Sequence, residues 1–367
     1  MPVVQSLITI VLFFFVLGVL VLVHELGHFL TARSANVRVL EFGIGFPPRA
    51  KVLRNKGETL YSLNWLPIGG FVKLEGEDGD QQGDPRAFSS QNLPTRLWIL
   101  VAGVLMNIVL AFVIFAGISW FASPIVGQKI GSVQPDSPAA AAGLQAGESL
   151  YALNGRTYQF MRGESVVQGL RDRAGETVTL TVIGTDGARR DVEVTLRPPE
   201  EINATQGALG VKAGEQGWEP YWSGEYAQND PLTALQTGWH QLTGALLLVV
   251  GGLGTLVSSV ASDPLAAPQV TGPVGIATQL GDIFWGAGPI LTLYVAAILS
   301  ANLAVVNILP FPPLDGGRML MITLKSLFGA RISLRAEQLT YMVGFVFLFA
   351  FIIWITGYDI LRQFGGV

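Results

Sequence analysis

The chain has 367 residues, of which 50% are hydrophobic and only 14% charged, with a net charge of −4 and a mean hydropathy of +0.46. A soluble domain carries about a quarter charged residues, so lipid is part of this chain's solvent, and with no basic stripe there is no reason to expect nucleic acid as a partner. The sequence has no cysteine, which excludes disulfides and thiolate metal sites and suits an oxidising compartment; any metal must be held by imidazole and carboxylate.

Residues 7–23 (LITIVLFFFVLGVLVLV) carry no charge and come close to the roughly 20 residues that cross a hydrocarbon core. No Lys or Arg precedes them and no small-residue cleavage site follows. They therefore read as a retained transmembrane helix over about residues 4–32 rather than a signal peptide. HELGH, residues 24–28, sits at the far end of that span. Side chains four apart on a helix share a face, about 6 Å apart along the axis, so His24 and His28 can aim nitrogens at one Zn2+. Glu25 then stands beside the metal without joining it, suited to take a proton from an acidified water, as in the H-E-x-x-H signature. A chance match at a helix end is the bland alternative. Against it, two of the chain's three histidines are in the motif, and ionisable groups at membrane depth are costly.

Residues 42–75 read as strands with tight Gly and Pro turns, and a second span covers residues 97–121. From 126 to 198 the composition becomes that of a soluble domain. β-branched runs at 178–183 and 192–196 flank a hairpin turn at Thr185-Asp186-Gly187, and Pro198-Pro199 closes the domain. Residues 200–230 look like an irregular extension bearing Trp218, Tyr221, Trp222 and Tyr226. Residues 232–259 are ambiguous. Their apolar centre is short and diluted by Gly251, Gly252 and Gly254, which favours an interfacial or re-entrant helix over a fifth span. A third span covers 289–309 and a fourth 339–355, giving about four.

Lys and Arg set the orientation. None precedes Arg33, nine lie from Arg33 to Arg96, and Arg318, Lys325, Arg331 and Arg335 follow the third span. Glu75, Glu77 and Asp78 dilute the first group, but the rule counts only basic residues. Both basic loops are expected in the cytoplasm, with the termini and residues 122–289 outside.

A zinc hydrolase needs three protein ligands and an open position. His240, the remaining histidine, falls in the outside segment. Asp315, in Asn307-Ile-Leu-Pro-Phe-Pro-Pro-Leu-Asp-Gly-Gly, falls at the level of HELGH. There prolines open the backbone and the glycines are expected to let the chain approach the metal. Asp315 as a mere helix N-cap is the alternative. Asn307 and Asn302 on the third span could bind an extended substrate or an oxyanion, or serve as interhelical glue.

These residues together carry a resemblance. HELGH on a first span, NxxPxPPLDGG on a later one and a domain between them look like the site-2 protease family of intramembrane metalloproteases. The residues Ile130-Gly-Ser-Val, Ser137-Pro-Ala, Ala142-Gly-Leu-Gln-Ala-Gly-Glu and Leu153-Asn-Gly resemble the PDZ domains of bacterial proteases. Glu148 stands where Asp is usual, and one such domain replaces the tandem pair of enterobacterial relatives. The resemblance implies a polytopic α-helical membrane protein with an inserted extracytoplasmic, β-rich α+β PDZ domain (122–200), an extension (201–288) and a membrane-associated β-hairpin region (about 40–76). It implies zinc on His24, His28 and Asp315, with Glu25 as general base and acid. The cleavage expected is of transmembrane helices in the plasma or inner membrane, after another, site-1-type protease has shortened the substrate. Anti-sigma factors or signal-peptide remnants would be such substrates. An edge strand over Gly69, Gly70, Phe71 and Val72 could pair with the unwound substrate, a plain surface hairpin being the alternative. The PDZ groove could capture a C-terminus or act as a size filter. Thr271-Gly-Pro-Val-Gly-Ile also recurs in the family, without an evident role. A metal transporter would leave Glu25 superfluous and should show an inverted repeat; a silent PDZ scaffold would leave the buried charges unexplained.

Overall fold

The computed structural model describes residues 2–55, 57–77, 84–203, 206–215, 217–262, 270–329 and 334–363. Lys56 and Arg331, counted in the charge bias, and Asp78, which dilutes it, lie outside these. The chain divides into two compact units, residues 1–114 with 240–367, and residues 115–239.

In the first unit, the charge-free N-terminal run forms α1 (Pro2–Ser34). The Gly/Pro-rich stretch after it forms a curled sheet of β1 (Val39–Arg54) and β2 (Leu60–Leu74). Residues 41–44 are flanked by 70–73 on one side and 60–63 on the other, while 46–54 pair with 61–66. Among the described residues, 70–74 thus pair only with the start of β1. α2 (Leu93–Phe121) follows and continues into the second unit. A core of Phe29, Val37, Val39, Leu74, Phe88, Ile99 and Ile322 ties the end of α1 to this sheet and to α2.

The second unit holds β3 (Ser123–Lys129), β4 (Ser132–Val133), α3 (Pro138–Ala141), β5 (Ser149–Leu153), β6 (Arg156–Thr157), α4 (Val166–Arg171), β7 (Thr177–Ile183), β8 (Arg189–Thr195), β9 (Val211–Lys212) and β10 (Pro220–Ala227). Its main sheet has the order β10-β3-β5-β7-β8, with β6 on β5, and β4 pairs with β9. The expected turn at 185–187 joins β7 to β8, where Asp186 Oδ1 accepts from Ala188 N at 3.0 Å. Residues 200–230 differ from the irregular extension expected. β10 pairs with β3 at the sheet edge, and this unit runs past residue 200. A register shift between Trp222 and Tyr226, with Gly224 at φ +75°, breaks the alternation that marks a strand.

The rest is helical: α5 (Pro231–Ser262), α6 (Pro273–Ala287), α7 (Pro289–Asn307), α8 (Asp315–Phe328) and α9 (Leu334–Gln363). α5 runs unbroken through Gly251, Gly252 and Gly254, and at 32 residues it is longer than the short apolar centre expected. Among the described residues five helices are long and apolar enough to cross a membrane (α1, α2, α5, α7 and α9), one more than the four expected. The Gly-Pro-Val-Gly run opens α6. There Gly272 N and Gly275 N donate to the carboxylate of Asp359, buried on α9, at 3.1 and 2.8 Å. Those bonds satisfy helix-start amides that would otherwise lack partners.

Candidate metal centre

Two local devices deliver the three candidate ligand side chains. His24 and His28 lie one turn apart near the end of α1, and both are buried. Asp315 is the first residue of α8, and Leu314 takes the N-cap position, so the aspartate is not the helix cap. The Ile308–Leu314 break between α7 and α8 lets the chain turn toward α1. A Cβ at Gly316 would overlap the carbonyls of Ile308 and Leu309, and one at Gly317 would meet Phe311 and Pro312. The two glycines therefore admit the break's own backbone.

The three side chains converge. His24 Nε2 lies 2.9 Å and His28 Nε2 3.4 Å from Asp315 Oδ2, and the two imidazole nitrogens are 3.2 Å apart. Tetrahedral zinc with bonds of about 2.0–2.1 Å holds its ligands roughly 3.3 Å apart. This donor set, two imidazoles and a carboxylate, therefore fits zinc without rearrangement. His28 Nδ1 donates to the carbonyl of Ile99 at 2.8 Å, which leaves Nε2 as the free lone pair. Gly103 of α2 gives both rings room: a Cβ there would come within 2.5 Å of His28 Nε2 and 2.8 Å of His24 Cε1.

Of the other expected residues, Glu25 sits beside the cluster, its Cγ 3.8 Å from where a Cβ on Gly70 would lie. Gly69, Gly70, Phe71 and Val72 thus run past the cluster in the strand that pairs only with the start of β1. Asn307 Nδ2 lies 3.5 Å from His24 Nε2. Asn302 makes no contact with the cluster among the described residues; five positions before Asn307, it is turned roughly 140° around the helix.

Sequence reasoning missed three features. Arg318, one turn after Asp315, pairs with Glu77 and so ties the Asp315 segment to the end of the β1–β2 sheet. Gly103 and Asn107 on α2 line the histidines, with Asn107 Nδ2 3.4 Å from His24 Nδ1. The available signal was a lone asparagine in a span otherwise free of amides, four residues after a glycine.

The model of peptidase family M50 matches residues 12–351. Two clostridial proteins carrying zinc-metalloprotease names are similar over almost their whole length. The one from Clostridium acetobutylicum is 30% identical over 97% of this chain and 98% of its own. The one from Clostridium perfringens is 31% identical over 93% and 95%. Zinc metalloprotease RasP of Geobacillus kaustophilus is 27% identical over 98% of this chain and all of its own. A match over nearly the whole chain and a donor set that fits the metal make this protein a member of peptidase family M50, the zinc metalloproteases of the site-2 type.

Proposed function

We propose that this zinc metalloprotease hydrolyses peptide bonds within transmembrane segments of membrane proteins. The observation that carries the proposal is the depth of the cluster. His24 and His28 lie near the end of α1, a helix with mean hydropathy 3.1 in its most apolar window, and both are buried against Asp315 of α8 and against α2, itself a helix apolar enough to span. His24, His28 and Asp315 would hold the zinc, which when bound acidifies water and polarises a carbonyl. Glu25 takes the proton from the attacking water and returns it to the leaving amine. Asn307, beside His24, donates its amide to the developing oxyanion. Helical peptide bonds are inaccessible, so the substrate must be extended. The edge formed by Gly69, Gly70, Phe71 and Val72 offers backbone partners next to Glu25.

The site also supports the topology read from the basic residues. α1 ends at the site, α2 leaves from it and α7 returns to it, so the chain between α2 and α7 crosses the membrane an even number of times. α6, with 15 residues, spans ~22 Å, short of a ~30 Å hydrocarbon core. Its start is held by Asp359, fifteen residues beyond Gly344, which packs on Pro312 beside the site. Near its end Trp285 donates to Thr9, fifteen residues before His24. Both ends of α6 are thus about equally far from the site, as in a helix lying along the outer interface. With α6 not crossing, parity keeps α5 outside too, despite its length. The termini and residues 122–289 are then extracytoplasmic and the site lies toward the cytoplasm, in accord with the basic loops.

The antiparallel sheet and two short helices of the second unit support a PDZ architecture for residues 122–200, with β10 added from beyond it. Substrates of the anti-sigma-factor or signal-peptide kind, already shortened by a site-1-type protease, fit a site enclosed by helices. The test is cleavage of a single-span reporter in detergent by the purified protein. Glu25→Gln is expected to keep one zinc per chain and lose cleavage, and chelation to abolish cleavage in the wild type. An active Glu25→Gln enzyme would falsify the base assignment.

A further inference from the structure

Ile99, Gly103 and Asn107 are four apart on α2 and lie along one stripe of it. α1 runs past this stripe in the opposite sense, so His28 meets the carbonyl of Ile99 at 2.8 Å and His24 meets the amide of Asn107 at 3.4 Å. Gly103, between them, leaves room for both rings. Asn107 is fully buried. Its backbone carbonyl accepts from Ser300 Oγ on α7 at 2.8 Å. Its Oδ1 has no hydrogen-bond partner among the described residues.

A histidine that gives Nε2 to a metal carries its ring proton on Nδ1 and needs an acceptor there. For His28 the acceptor is Ile99. For His24 the sole neighbour at Nδ1 among the described contacts is the Asn107 amide, whose oxygen and nitrogen exchange places by a half-turn without change of shape. We infer that Asn107 is the positioning residue of His24: its side-chain carbonyl accepts the His24 Nδ1 proton, so that one stripe of α2 sets the tautomer of both imidazoles. Interhelical glue does not account for the residue. The tie between α2 and α7 is made by its backbone carbonyl and Ser300, which leaves the side chain for His24.

Asn107 has this role only if His24 is a ligand, as proposed above, and the experiment separates the two. Zinc affinity is measured by competition with a chromogenic chelator on the full-length protein in detergent. The variants are His24→Ala, Asn107→Leu, Asn107→Asp and Ser300→Ala. Asn107→Leu is expected to weaken zinc roughly 10- to 100-fold. Asn107→Asp, which still offers an oxygen, and Ser300→Ala, which touches only the packing bond, stay within a few-fold of wild type. Wild-type affinity in Asn107→Leu, or an equal loss in Asn107→Asp, would overturn the assignment. Full zinc retention in His24→Ala would overturn the ligand set instead. Should Asn107→Leu not fold, nitrogen NMR of labelled histidines in the zinc-loaded wild type decides, aided by there being only three. A His24 Nδ1 proton shifted downfield by an acceptor and remote from the Asn107 amide protons is expected; amide protons turned toward His24 Nδ1 refute the role, and a protonated Nε2 refutes the ligand set.

Discussion

Replacing Gly103 with alanine isolates what the α2 stripe does for the metal. The new Cβ would stand 2.5 Å from His28 Nε2 and 2.8 Å from His24 Cε1, about 1 Å inside ordinary carbon–nitrogen contact. Without metal the imidazoles can swing away, so the apo protein loses little. It also gains from the better helix former, by up to ~1 kcal/mol. With metal bound the rings are fixed, and overpacking of this kind costs about 1–3 kcal/mol. At ~1.4 kcal/mol per tenfold, zinc affinity should fall on the order of 5- to 100-fold, while the apo melting temperature stays level or rises. The assay is chelator competition beside thermal unfolding of the apo protein. Wild-type zinc affinity in Gly103→Ala would refute the reasoning, as would a loss of apo stability that accounts for the whole effect.

Two further outcomes are expected. Asp359→Leu removes the acceptor for Gly272 N and Gly275 N and should lower stability by about 1–3 kcal/mol through the unsatisfied amides, read as a fall in unfolding temperature with zinc affinity unchanged. Ser262→Cys, at the exposed end of α5 in a chain without cysteine, should react with a membrane-impermeant thiol reagent added outside intact cells; labelling only after permeabilisation would make α5 a span.

How much of this was legible depended on whether a feature has a period or a fixed spacing. His24 and His28 are one turn apart, so the helix period alone brings them together. Asp315 was reached through its prolines, because a broken helix at membrane depth must line something. β10 was missed because Gly224 and the register shift destroy strand alternation, and the pairing that makes it a strand comes from Ser123–Lys129, a hundred residues away. α6 was missed because Asp359, which caps its start, lies on another helix. Asn107 stands in the sequence as an isolated amide in an apolar span, yet it was missed, because the atom it faces depends on how α1 and α2 pack and no local pattern encodes that packing.

The central claim is that the protein cuts inside the membrane at the His24–His28–Asp315 centre. The most direct measurement is mass spectrometry of the products from a reporter with one transmembrane helix, using wild type and Glu25→Gln side by side. The expected result is a single cleavage within the hydrophobic stretch, nearer its cytoplasmic end and absent from Glu25→Gln. Cleavage confined to the soluble flanks, or products unchanged by Glu25→Gln, would contradict the account.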